Sequence, residues 1–220
     1  GYNSLGANTT GEFNVGLGHS SLLTNTTGQT NTAAGYEALK LNTTADNNAA
    51  FGCQALASNT TGSENVAVGA FAMDAHTTGD SNTALGVNAL GSNTTASNNT
   101  ALGRNAMVNN TEGFQNVAVG AYCLDANTTG DYNVAVGLNT LGGNTTASAN
   151  TAVGNQAMLS NTTGNKNAAF GAYSLDANTT GVDNTAIGYA SLTTSTTGNN
   201  NTGVGYDTLT NNTTGSNNVA

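Results

Sequence analysis

Apolar and polar residues alternate in short segments that return at a fixed interval along the chain. The segments 65–69 and 133–137 both read Asn-Val-Ala-Val-Gly, with two branched apolar residues on either side of a small one. Such alternation of β-branched residues is typical of a β-strand. A further apolar residue, always Leu or Met, follows each segment, as at Leu56 and Met73. The pattern therefore predicts one short strand, then a second extended piece, in every interval.

These segments belong to a tandem repeat of constant length. Asn-Thr-Thr-Gly or a near variant begins at residues 8, 25, 42, 59, 76, 93, 110, 127, 144, 161, 178, 195 and 212. With its first residue as position 1, the consensus is Asn-Thr-Thr-Gly-x-x-Asn-(Thr/Val)-Ala-(Val/Leu)-Gly-x-x-(Ala/Ser)-Leu-x-x. We therefore expect residues 1–220 to form a single array of about thirteen repeats. Neither end has an atypical, capping repeat, which indicates an internal piece of a longer fibre.

Three positions of the repeat restrict the fold. Position 7 is always Asn, position 9 is Ala or Gly, and position 11 is always Gly. A fixed glycine after a strand fits a turn with positive φ or a close backbone approach. Frequent Gly, Asn and Thr disfavour a helix. We therefore predict an all-β fold, a parallel β-solenoid or β-roll with one 17-residue coil per repeat and about 4.8 Å between coils.

A single solenoid of this composition buries little apolar surface. Each coil offers only two or three sizeable apolar side chains, against the entropy of ordering the backbone of a whole repeat. We therefore expect lateral association of several chains, as a trimer or a filament. The small side chains of position 9 are the predicted contact face, because they leave no room for a larger group.

Composition removes several classes of function. The 220 residues include 12 acidic and 3 basic ones, giving a net charge of −9, and only 5% are aromatic. A conventional enzyme core would need more large apolar side chains. So few basic residues cannot neutralise a phosphate backbone, so nucleic acid is excluded as a partner. No apolar run is long enough to cross a bilayer, so we expect no membrane insertion.

No arrangement of reactive side chains recurs with the repeat. The two histidines, His19 and His76, fall at positions 12 and 1, and the acidic residues are scattered. We therefore expect no enzyme activity, no cofactor and no metal site. Cys123 replaces a small residue at position 14 and is predicted to be buried, whereas Cys53 at position 12 is predicted to be exposed.

Asparagine glycosylation is the sharpest modification hypothesis. The Asn-Thr-Thr motif is an acceptor for N-linked glycans, about one per repeat. The alternative is that Asn and Thr side chains bond the backbone of a turn. Further acceptor patterns begin at Asn98, Asn109, Asn200 and Asn211. The candidate sites in the motif itself are Asn8, Asn25, Asn42, Asn59, Asn93, Asn127, Asn144, Asn161, Asn178 and Asn212.

The strand motif carries a family resemblance. Segments such as Asn-Val-Ala-Val-Gly at 65–69 and Asn-Thr-Ala-Ile-Gly at 184–188 resemble the head repeats of trimeric autotransporter adhesins. The whole unit is similar to the 17-residue arrays of bacterial surface proteins and phage tail-fibre proteins. The resemblance implies a left-handed parallel β-roll, a trimer, and a role as an extracellular stalk or adhesive fibre. The adhesin heads have a shorter repeat, so their trimer packing does not transfer directly.

The sequence thus favours an extracellular structural or adhesive fibre, on a cell surface or in a virion tail fibre. Its partners would be further copies of the chain and a cell-surface or carbohydrate ligand. One alternative is an ice-binding solenoid with threonine ladders. The other is a passive stalk that carries a separate terminal domain.

Overall fold

The computed structural model describes residues 1–220 and contains twelve strands and no helix. Each strand is three residues long and occupies repeat positions 8 to 10. No segment therefore forms the long apolar helix that spans a membrane. The strands are Val15–Leu17 (β1), Thr32–Ala34 (β2), Ala49–Phe51 (β3), Val66–Val68 (β4), Thr83–Leu85 (β5), Thr100–Leu102 (β6), Val117–Val119 (β7), Val134–Val136 (β8), Thr151–Val153 (β9), Ala168–Phe170 (β10), Thr185–Ile187 (β11) and Thr202–Val204 (β12).

The chain divides into two compact units, Gly1–Glu112 and Gly113–Ala220. In the first unit, β1 to β6 pair in chain order, all parallel, and each residue pairs with its equivalent in the next repeat. In the second unit, β7 to β12 pair in the same way. One repeat is therefore one coil, which confirms the predicted all-β parallel solenoid. The single uninterrupted array and the lateral association stay predictions.

The interior of a coil is narrow and is filled by small residues and one long one. In the coil that begins at Asn59, Ala67 at position 9, Ala72 at position 14 and Met73 at position 15 are each 0% exposed. At Gly16 and Gly203, hydroxyl groups of position 14 occupy the space that a side chain at position 9 would need. A Cβ on Gly203, for example, would lie 2.7 Å from Oγ of Ser191. Positions 9, 14 and 15 therefore pack against one another across the coil.

This packing corrects the predicted contact face. The alanines of position 9 point into their own coil, and those of β2 to β11 are 0% exposed, so they cannot meet another chain. Positions 8 and 10 point outward instead. Val66 at position 8 is 38% exposed and Leu85 at position 10 is 46% exposed. The prediction failed because alternation shows which residues share a face and does not show which face is inside. The interior is too narrow for the larger side chains of positions 8 and 10, so these point outward.

The turns depend on left-handed backbone conformations. Position 11 glycines have φ between 125° and 149°, as predicted, and at Gly86 the value is 139°. A Cβ there would lie 2.5 Å from the carbonyl oxygen of Gly103 in the next coil. Both a positive φ and a close backbone approach therefore require glycine at position 11. Non-glycine residues at positions 6, 13 and 15 also have positive φ in every coil, including buried Leu56 at 52°.

Two glycines of the same coil, Gly86 and Gly91, allow a matched test of this requirement. We expect Gly86→Ala to destabilise the fold by at least about 2 kcal/mol, because it adds strain at φ 139° and a backbone clash. Gly91→Ala at position 16, with its nearest contact at 3.3 Å and no positive φ, should change stability by less than about 1 kcal/mol. Denaturant unfolding measures the stability of both variants. Equal losses of stability would refute the requirement for glycine at position 11.

Candidate functional site

Position 1 asparagines form a ladder inside the solenoid. Nδ2 of Asn42 donates to Oδ1 of Asn25 in the preceding coil at 2.8 Å. The same nitrogen donates to the carbonyl oxygen of Ala45, three residues on, at 3.1 Å. The second bond closes the Asn-Thr-Thr-Gly turn, and the first joins neighbouring coils. The alternative of turn chemistry, in which the side chain bonds the backbone, is confirmed.

Position 7 asparagines form a second ladder that bonds the backbone of the next coil. Oδ1 of Asn31 accepts the backbone N–H of Asn48 at 2.9 Å. Nδ2 of Asn31 donates to the carbonyl oxygen of Ala45 at 2.8 Å. One buried side chain therefore satisfies a donor and an acceptor of the following coil. This explains why every repeat has Asn at this position, since neither Asp nor Leu offers both groups.

The two ladders meet at the carbonyl group of position 4. The oxygen of Ala45 accepts from Asn42 in its own coil and from Asn31 in the preceding coil. Gly28 receives the same pair, from Asn25 at 3.0 Å and from Asn14 at 2.7 Å. A buried carbonyl with both lone pairs filled is fully satisfied. The convergence fixes the turn to the neighbouring coil without any large apolar contact.

Threonines of position 2 add a third ladder. Oγ1 of Thr60 donates to the carbonyl oxygen of Thr77 at 3.0 Å, and its backbone N–H donates to the same oxygen at 2.9 Å. These hydroxyls are therefore occupied by the protein. The ice-binding alternative loses this threonine row. The exposed threonines that recur with the repeat lie at position 3, as at Thr61 and Thr78.

Side chains of position 5 bond the backbone of the preceding coil. Oδ1 of Asp80 accepts the N–H of Ser63 at 2.8 Å, and Oδ1 of Asp131 accepts the N–H of Phe114 at 2.9 Å. Serine does the same, as Oγ of Ser97 accepts the N–H of Asp80 at 3.0 Å. The acids that follow the turn thus act as hydrogen-bond acceptors between coils.

His76 replaces asparagine in the position 1 ladder and reproduces most of its bonds. Nε2 of the buried ring donates to the carbonyl oxygen of Gly79 at 2.7 Å. Nδ1 accepts from Nδ2 of Asn93 at 3.1 Å. The ring must be neutral to do both, and burial lowers its pKa from the ordinary value. Having given its only N–H to Gly79, it leaves Oδ1 of Asn59 without a donor.

Ser195 is the second departure from asparagine at position 1, and its side chain is too short for the ladder. Its buried Oγ has no partner, and Oδ1 of Asn178 in the preceding coil has none. The third unpaired buried amide oxygen, Oδ1 of Asn93, precedes the coil in which Glu112 replaces the motif's second threonine. The two substitutions for asparagine therefore each leave an acceptor unsatisfied, which costs about 1 to 3 kcal/mol.

The ladder corrects the glycosylation hypothesis for most of its sites. Eight candidate asparagines have 0% of their surface exposed, with Nδ2 bonded inside the coil. A sugar on that nitrogen would displace the neighbouring coil, so glycan and fold exclude each other there. Asn8 is exposed and Asn212 partly exposed, and both keep the turn bond. The eight buried sites are Asn25, Asn42, Asn59, Asn93, Asn127, Asn144, Asn161 and Asn178.

The remaining acceptor patterns lie on the surface. Asn98, Asn109, Asn200 and Asn211 are all exposed. They occupy positions 6 and 17, outside both ladders. The acceptor pattern alone does not distinguish these asparagines from those of the repeat motif, whose regularity reflects internal bonding.

The two cysteines lie as predicted. Cys123 is buried and its Sγ contacts the carbonyl oxygen of Ala135 at 3.2 Å. Burial raises the pKa of its thiol to about 12, so it stays protonated and unreactive at neutral pH. Cys53 is exposed and free.

Aromatic rings stack on the outside at position 12. The ring of His19 stacks between Tyr2 and Tyr36, with centroids 5.4 and 5.5 Å apart. In the second unit, Tyr189 stacks on Tyr206 at 5.5 Å. The tyrosines are 48 to 74% exposed. They form local rows of rings that other molecules can reach.

Comparison with protein-family models, curated proteins and solved structures finds no match to this chain. The resemblance to adhesin and tail-fibre repeats therefore rests on the repeat motif, and the fold rests on the structure.

Restoring asparagine at the gap in the ladder should stabilise the protein. We expect Ser195→Asn to raise the free energy of unfolding by about 1 to 2 kcal/mol, because its Nδ2 would serve Oδ1 of Asn178. Ser195→Ala is the control, since it removes the unpaired hydroxyl and leaves Asn178 unserved. Denaturant unfolding compares the two, and an asparagine variant no more stable than the alanine variant would contradict the ladder.

Stability should depend on pH through His76. The folded ring resists protonation, so below the ordinary pKa of 6.5 the unfolded chain binds a proton that the folded chain does not. Stability should therefore be complete above pH 6.5 and decrease as pH falls through the lowered folded pKa, by at most about 1.4 kcal/mol per pH unit. His76→Asn removes this contribution and retains every other titrating group. If the free energy of unfolding of both proteins changed equally between pH 7.5 and 5, this role of His76 would be disproved.

Proposed function

We propose that this chain is a non-enzymatic, load-bearing segment of an extracellular fibre, on a cell surface or in a virion tail. The hydrogen-bond ladders carry the proposal. Within each unit, neighbouring coils are joined by backbone bonds and by asparagine side chains at position 7, and asparagines at position 1 add bonds in most coils. Bonds that repeat in every coil resist separation of any one coil from the next.

Self-association and binding belong to the outer positions. Residues at positions 6, 12 and 13 vary in charge and size, whereas the ladder positions hardly vary. Changes on the outside leave the ladders intact. The fibre would thus associate with further copies through outward-facing positions and meet its targets through these variable columns, with no cofactor.

Adhesion is a second candidate, favoured by the exposed ring stacks. Tyr2, Tyr36, Tyr189 and Tyr206 combine an apolar face with a hydroxyl group, the properties suited to contact with sugars or other amphipathic surfaces. Weak contacts on a repeated scaffold add up through multivalency. A cell-surface carbohydrate is the ligand class that we would test first.

Single-molecule stretching tests the load-bearing role. We expect the chain to unfold in steps that are multiples of one coil, about 56 to 61 Å for one fully extended repeat. Asn150→Ala should lower the force of a step, since Asn150 bonds the following coil twice, donating to Gly164 and accepting from Asn167. Asn155→Ala, at an exposed site in the same coil, is the control.

Two results would refute the load-bearing role. One is a wild-type chain that extends without a resolvable force step. The other is an equal step force for the Asn150 and Asn155 variants when circular dichroism shows that both are fully folded.

A further inference from the structure

The outward face of the strands is unusually apolar. Position 10 carries Leu, Ala, Phe, Val or Ile in every strand, without one polar residue. Six of its twelve side chains are exposed and the other six are partly exposed. Leu17, Phe51 and Leu85 are 67, 42 and 46% exposed in the first unit, and Phe170, Ile187 and Val204 are 41, 41 and 54% exposed in the second. Water-exposed apolar groups in such a row mark a contact surface.

The same face carries no charge. All 15 charged residues lie at other positions, and position 8 beside it holds only Val, Thr and Ala. A chain of net charge −9 would repel a copy of itself if charged surfaces met. Two copies facing each other through positions 8 and 10 bring no charges together.

We propose that the strand face formed by positions 8 and 10 is where this chain binds a second copy of itself. This inference deepens the fibre role proposed above, on which it rests, by naming the surface through which the fibre associates. The partner must present an apolar face with the same spacing of about 4.8 Å between strands. A second copy supplies that spacing along its length, and sheet faces pack in this way at about 10 Å.

The area suffices for a stable contact. At the exposures above, positions 8 and 10 present on the order of 600 Å² in each unit, while a standard interface buries about 800 Å² per partner. A contact between one unit of each copy would therefore bury about 1,200 Å² in total, the lower end of the range for specific interfaces. A surface of this size left in water would be a liability for a soluble fibre.

At β3 the face combines a large side chain with small neighbours. Phe51 projects at position 10 of β3, next to Ala49 on its own strand and Ala34 on β2. A projecting ring therefore lies beside a hollow. Two copies related by a two-fold axis can each insert the ring into the other's hollow, which is the requirement for a symmetric contact.

Analytical ultracentrifugation of charge-matched variants tests the proposal. We expect the wild type to sediment as two or more chains, and Phe51→Glu with Leu85→Glu to weaken association at least tenfold. The control is Thr44→Glu with Thr78→Glu, at exposed position 3 sites of the same two coils. Glutamate already occurs at that position as Glu112, and both double variants carry the same net charge. The control should associate like the wild type.

A second variant protects the test from misfolding. Phe51→Thr with Leu85→Thr removes the apolar surface without adding charge, and threonine suits an outward strand position. It too should weaken association while its circular dichroism stays that of the wild type. A wild type monomeric up to about 0.1 mM would overturn the proposal. So would face variants that associate normally, or a control that loses association equally. A monomer with force steps would still retain the load-bearing role.

Discussion

Every amide buried between two coils needs a hydrogen-bond partner in the next coil, and the rest of the structure depends on that requirement. Asn31 meets it for the N–H of Asn48 and for the carbonyl of Ala45. An unpaired buried group costs about 1 to 3 kcal/mol, and an inserted residue would displace several groups in one coil. The unbroken 17-residue spacing is therefore a consequence of satisfying amides, and the interior needs few large apolar residues.

The ladders also hold a backbone that a single coil would not adopt. Leu56 has φ of 52°, a conformation that costs a side-chain-bearing residue about 1 to 2 kcal/mol. Its N–H donates to the carbonyl oxygen of Ala72 in the following coil at 3.0 Å, so the neighbour stabilises the strained turn. Strain repeated at positions 6, 13 and 15 is thus offset between coils. Stability depends on the contacts of neighbouring coils, as in other repeat proteins.

The sequence predicted the elements of the coil, but it did not predict which strand residues face the interior. The strand, the period and the glycine of position 11 followed from local rules, because alternation and φ preference act within a few residues. The direction of the strand faces did not follow. Val66 and Val68 are larger than Ala67, yet Ala67 is the one enclosed, because the opposite wall, with Ala72 and Met73, leaves only the space of a methyl group. That distance is set by the whole coil and no local pattern records it.

The role of the Asn-Thr-Thr asparagines was the second property that the sequence could not decide. A motif of Asn-Thr-Thr fits a glycan acceptor and a turn equally well, because both use the same side-chain amide. Burial of the side chain distinguishes the glycan acceptor from the turn residue, and an asparagine is buried only when a neighbouring coil covers it. His76 illustrates the point, since its ring reproduces two of the bonds of asparagine although no sequence rule equates the two side chains. Its replacement shows that the site selects for hydrogen-bond geometry and tolerates a change of chemical group.

Amide ladders inside leave the large apolar residues free to lie outside. In most proteins burial of such residues drives folding, so they are unavailable for contact. Here Phe51 and Leu85 keep 42 and 46% of their surface exposed although the coils are stacked. Outer columns can therefore change while positions 1, 4 and 7 keep the coils together. A solenoid built this way separates the residues that hold its coils together from those that face the solvent.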